Sequence, residues 1–188
     1  MPLFLRRISR LRRSISASTA VRLRAVAWQR FGHNASGRQR LRAVVDFVHE
    51  HLTYGYQFAR ATYTAWEADH AGVGVCRDFA HLAVALCRCL NIPARYCSGY
   101  LVDIGVAPID VAIDFHAWFE VYLGGKRYSF DARYRIPRIG RVFMACGRNA
   151  ADTALSTVFA SMTLVKFEVH TEEVATSYQP RASLSLTA

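Results

Sequence analysis

The stretch from Arg77 to Leu90 sets the strongest constraint on how this chain can fold. Phe79, Leu82, Ala83, Val84, Leu86, Cys87 and Leu90 leave it apolar almost all round. A helix of that kind is stable only when other elements enclose it. Asn91, Ile92 and Pro93 stop it, and Gly72-Val-Gly74-Val75 leads into it, with Cys76 at its opening. The 188 residues suffice for one domain that surrounds such a helix with a full core, and are too few for two.

The enclosing elements are legible from their periodicities. Leu41, Val44, Val45, Val48 and Leu52 recur at helical spacing, so residues 38–52 are expected as an amphipathic helix. Tyr54 to Tyr63 is aromatic-rich and reads as irregular chain over the core. Downstream the period shortens. Arg95–Val102, Asp114–Leu123 and Lys126–Arg133 read as strands, and Gly124-Gly125 is a two-residue hairpin signal between the last two. Val142–Ala145 and Met162–Val169 read as further strands, and Asn149–Thr157 as a turn or short helix. Helices first and strands afterwards predict an α+β fold, a central helix on an antiparallel sheet. Residues 1–23 are expected as a basic, flexible arm, 24–175 as the domain and 176–188 as a frayed tail.

The net charge of +10 would suggest nucleic acid as a partner if it were spread over the molecule. It is not. Residues 1–42 hold eleven arginines and no acid, and the remainder is balanced at 13 basic against 14 acidic residues. The arm has the composition of a transit peptide, and a solvated leader is preferred over contact with nucleic acid or an anionic membrane. Five cysteines, an odd number, suit reduced thiols and hence the cytoplasm.

Cys76 is the thiol placed for chemistry. The free N–H groups and aligned dipoles of a helix start stabilise a thiolate, and Arg77 adds a cation. Cys87 and Cys89, inside the helix, read as small apolar core residues. A nucleophilic cysteine needs a base, and the base an orienting group. With Gly124 and Gly125 as the loop, Leu123 faces Lys126, Trp118 faces Asp131 and His116 faces Arg133. His116 and Asp131 then share a sheet face as diagonal neighbours, within reach of one hydrogen bond. Asp78 is explained by the helix dipole alone, and His81 is left outside the triad. Cys87-x-Cys89 lacks both the spacing and the second pair of a zinc ribbon, so no metal is expected.

The run Gly74-Val-Cys-Arg-Asp-Phe-Ala-His81, then Asn91-Ile-Pro-Ala-Arg-Tyr96 and Ser98-Gly-Tyr-Leu101, resembles the bacterial transglutaminase-like superfamily. So do Asp114-Phe-His-Ala-Trp-Phe-Glu-Val-Tyr122 and Phe130-Asp-Ala132, in the family's order. The resemblance covers about residues 27–175. It implies a papain-like core, no cofactor, and Cys76, His116 and Asp131 as a catalytic triad. It further implies a peptide or protein substrate with a peptide bond or a glutamine-type carboxamide, and a thioester resolved by water or by an amine acceptor. Larger relatives carry a β-rich domain ahead of this core, where the Arg-rich arm stands here. Hydrolysis is expected over amine transfer, because transfer needs a dry, amine-selective pocket. The rival expectation is a catalytically silent scaffold that holds anionic partners through the arm.

Overall fold

The structure is a computed structural model that describes residues 17–154 except 35, 61, 103, 105–114 and 137, together with 169. Among the described residues, four α-helices run Ala17–Phe31 (α1), Gly37–His51 (α2), Ala65–Ala71 (α3) and Cys76–Cys89 (α4). Thr53–Tyr54 (β1) and Val73–Gly74 (β2) pair in parallel. Ala94–Leu101 (β3), Phe115–Leu123 (β4), Lys126–Phe130 (β5) and Arg141–Gly147 (β6) form an antiparallel sheet in the order β5-β4-β3-β6. The fold is therefore the expected α+β arrangement. No described helix is long and apolar enough to cross a membrane.

Helix α4 is the axis of the core. Leu82, Ala83, Val84, Leu86 and Cys87 have no exposed surface, and the helix packs against α1, α2, α3, β3 and β4. Its end is a Schellman motif. Asn91 takes a left-handed φ of 61°, Ile92 N–H donates to Cys87 O at 2.8 Å and Asn91 N–H to Arg88 O at 3.1 Å. Helix α2 starts in a capping box, with Gln39 N–H donating to Ser36 Oγ and Ser36 N–H to Gln39 Oε1.

Three readings from sequence need correction. Helix α1, Ala17–Phe31, buries Leu23 and Ala27 completely, so the expected arm boundary at 23/24 falls inside a helix. Its stripe of Leu23, Ala27 and Phe31 is narrow and was hidden by arginines. Helix α3 was missed although Thr64 and Glu67 form its capping box. Strand β5 stops at Phe130, because the Asp131 carboxylate accepts the N–H groups of Arg133 and Tyr134 and turns the chain out of the sheet. The segment 54–63 holds β1 and one 3-10 turn, Tyr56–Phe58, and a second such turn spans Ala150–Thr153. The expectations for residues 1–16, 114, 155–168 and 176–188 fall outside the described residues.

The hairpin register is as read: Leu123 pairs with Lys126 and Phe119 with Phe130. Gly124 and Gly125 have φ of 56° and 81°, the left-handed pair that a type I′ turn requires. Gly99, on β3, has no room for a side chain. A Cβ there would lie 2.0 Å from Val142 O and 3.0 Å from the Trp118 ring. Gly99→Ala is expected to push β3 and β6 apart and cost roughly 1–3 kcal/mol in urea unfolding. An unchanged midpoint would show that β6 yields freely.

Candidate active site

Cys76 is the first residue of α4 and is half-buried. What precedes it is held tightly. Val75 N–H donates to Asp78 Oδ2 at 2.9 Å, and Arg77 Nε meets Asp78 Oδ1 at 3.0 Å. Arg77 also donates to Arg60 O. Gly74 permits this, since a Cβ there would sit 2.7 Å from Asp78 Cβ. Asp78, 1% exposed, is thus the cap that sets where the helix begins. As the first helical residue, Cys76 presents a backbone N–H with no carbonyl to meet inside the helix.

The structure brings the three sequence-predicted side chains together. His116 Nε2 donates to Asp131 Oδ2 at 2.7 Å, with both residues 3% exposed. The Cys76 side chain is close enough to the imidazole to help raise its pKa. With Nε2 taken by Asp131, Nδ1 is the nitrogen left to serve the sulfur. The Cys76 thiol lies 3.8 Å from Phe115 O, one residue before the histidine. Burial alone would lower the His116 pKa; the hydrogen bond to Asp131, the Cys76 side chain and the charges of both reverse this and raise it to about 9. Asp131 is held below the usual carboxylate range. Burial opposes this, but the His116 hydrogen bond and charge, the Tyr134 N–H and Arg141 outweigh it. The pair is therefore an imidazolium and a carboxylate at neutral pH.

Three other thiols, Cys87, Cys89 and Cys97, are buried. Burial pushes Cys87 and Cys97 up to about 12 and Cys89 to about 11. His81 is driven down to about 4, first by burial and then by the charges of Arg88 and Arg77, so it is neutral and outside the triad contacts. Among the described residues no three histidine, cysteine or acidic side chains converge in a metal-binding group.

Four side chains with hydrogen-bond donors, Tyr54, Tyr56, Gln57 and Trp66, precede the nucleophile in the chain. Pairing of β1 with β2 sets Tyr54 opposite Gly74, two residues before Cys76. The Tyr54 hydroxyl is buried without a hydrogen-bond partner. The Gln57 amide folds back over Gly55, and Tyr56 is half exposed. Trp66 is engaged elsewhere, stacked on His70 at 6.2 Å with Arg22 5.5 Å from its ring.

Sequence reasoning missed the support behind Asp131. Arg133 O accepts from His49 Nδ1 at 2.8 Å, and Arg135 reaches Glu50 and Asp46 on the same helix. Tyr134 lies 5.5 Å from the His116 ring. No local pattern signals these contacts, since His49 and Arg133 are 84 residues apart.

A family profile described as Transglutaminase-like superfamily matches residues 25–132, a span that takes in Cys76, His116 and Asp131. The chain belongs to the transglutaminase-like superfamily. Among transglutaminase-like structures, one from Cytophaga hutchinsonii, named as a candidate cysteine protease, is 37% identical. It superposes with a TM-score of 0.68 over 76% of this chain and 47% of that one. The periplasmic domain of TgpA from Pseudomonas aeruginosa, bound to ethylmercury, is 24% identical with a TM-score of 0.53, over 70% of this chain and 50% of that one, and shares the fold. An uncharacterised protein of Mycobacterium leprae is 32% identical over 143 residues, 74% of this chain and 51% of its own length. The chain thus spans about half the length of the relatives it matches.

Proposed function

We propose that this transglutaminase-like chain is a thiol-dependent acyl-transfer enzyme that cleaves amide bonds. One observation supports the reading above all: a single buried imidazole bonded to a carboxylate at 2.7 Å and close enough to the thiol at a helix start for that thiol to help raise its pKa. The Cys76 thiolate attacks the amide carbonyl carbon, and the Cys76 backbone N–H receives the developing oxyanion. The C–N bond breaks as His116 passes its proton to the departing amine or ammonia. Asp131 keeps the ring oriented and charged. Water, deprotonated by His116, then attacks the thioester carbonyl, and the C–S bond breaks to return the thiolate and release a carboxylic acid.

Hydrolysis is favoured over amine transfer, because the half-buried Cys76 admits water. The deciding experiment incubates the full chain with a glutamine-containing peptide, with and without a primary amine, followed by mass analysis. Replacement of ammonia by water identifies an amidase and backbone scission a peptidase. Amine incorporation identifies transfer. A folded sample that does none of these overturns the reading in favour of a silent scaffold.

A further inference from the structure

Beyond His116, the charged side chains near the triad carboxylate are guanidinium groups. Asp131 is fully used, by His116 on one oxygen and by the Arg133 and Tyr134 N–H groups on the other. Three guanidinium groups gather beside it. Arg133 lies 3.5 Å from the centre of the Tyr54 ring and 4.6 Å from that of Tyr134, and Arg138 lies 4.8 Å from the Tyr134 ring. Arg141 sits 5.7 Å from the Trp118 ring.

Their neighbour Arg135 meets Asp46 and Glu50. Among the described residues, Arg133 forms no salt bridge, while Arg141 faces the Asp131 charge and keeps its Nε buried with no hydrogen-bond partner. An unpaired buried donor carries a desolvation cost that a ligand acceptor would remove. Both side chains are half-buried, so a bound group can reach them. Arg133 is also pre-organised, between two aromatic rings on a segment whose backbone His49 holds. A guanidinium so placed presents its planar fork to a carboxylate with little further loss of freedom.

We infer that Arg133 is a carboxylate-docking site, and that the preferred substrates are peptide-like amides bearing a carboxylate close to the scissile carbonyl. The site lies one ring away from the catalytic imidazole, because Tyr134 touches both His116 and Arg133. It rests on the reading of Cys76 as nucleophile. It adds a substrate class to that reading: positive potential at the site draws in acidic peptides and disfavours lysine-flanked ones.

The test separates docking from turnover. Iodoacetate and iodoacetamide carry the same leaving group and differ by a carboxylate, so their relative rates at Cys76, read by peptide mass mapping, report the local field. His116 contributes to that ratio in every variant, and the change on substitution isolates Arg133. In low salt, Arg133→Gln is expected to lower the iodoacetate-to-iodoacetamide ratio by about fivefold or more, and Arg133→Lys to keep most of it. An unchanged ratio in Arg133→Gln overturns the inference. In turnover, a glutamine peptide flanked by aspartate is expected to exceed its asparagine-flanked twin in kcat/KM by about tenfold, the advantage shrinking in high salt. Equal rates on the two peptides overturn it as well. A chain that shows the alkylation ratio but cleaves no amide keeps the docking site and loses the proposed enzyme.

Discussion

Replacing Cys76 by alanine is expected to abolish amide cleavage, lowering turnover by on the order of 10⁴–10⁶, the range seen when the nucleophile of a triad is removed. No other thiol can take its place. Cys87, Cys89 and Cys97 are buried, with pKa values pushed to about 11–12, so almost none of their sulfur is thiolate at neutral pH. Cys146 lies on β6, paired across the sheet with Cys97 on β3. The fold should survive, because Asp78 and the Val75 N–H, not the sulfur, define where the helix begins. The measurement is peptide turnover beside circular dichroism. Retention of more than about a tenth of native activity in a folded Cys76→Ala variant would remove the nucleophile from the mechanism.

The second large effect is expected from Asp131→Asn. The neutral amide still fits the space, but the charge that holds His116 protonated is gone. The sign follows from the histidine. Its pKa is raised on folding, so the stability it contributes is complete below the ordinary histidine value and is lost as pH rises through about 9. Native amide cleavage, which needs the imidazolium proton for the leaving amine, should decline over the same alkaline range. Alkylation of Cys76 by iodoacetamide needs only the thiolate and should not decline there. In Asp131→Asn the alkaline limb of cleavage should move down toward the ordinary histidine range, with turnover lower by on the order of 10³–10⁴. A limb that stays near 9 in the variant would show that Asp131 does not set the imidazolium.

Much of this was readable along the chain. The apolar helix, its Asn91-Ile-Pro93 stop and the Gly124-Gly125 register are short-range signals, each written within a few residues. The same holds for the Thr64-x-x-Glu67 box, which marks α3 and was overlooked. Helix α1 was obscured for a different reason. Its arginines dominate the composition, while only Leu23, Ala27 and Phe31 reveal the buried stripe.

The closeness of His116 and Asp131 was anticipated through an extended ladder, yet it arises otherwise. The register runs as expected to Phe130, and then the aspartate leaves the sheet to cap its own turn while keeping hold of the imidazole. A ladder period describes hydrogen bonds between strands; it does not describe a carboxylate that competes for backbone N–H groups two and three residues on.

Residue order and periodicity thus sufficed for the class of fold and the central helix, and they pointed to a thiol, an imidazole and a carboxylate that the fold brings together, because helix, turn and strand preferences act over a handful of neighbours. The clamp of His49 on Arg133, the seat of Tyr134 beside the imidazole and the Arg133 guanidinium between two aromatic rings belong to the packed molecule. Those contacts join side chains far apart in the chain, and only the closing of α2 and the β5–β6 connection around the core gives them a common address.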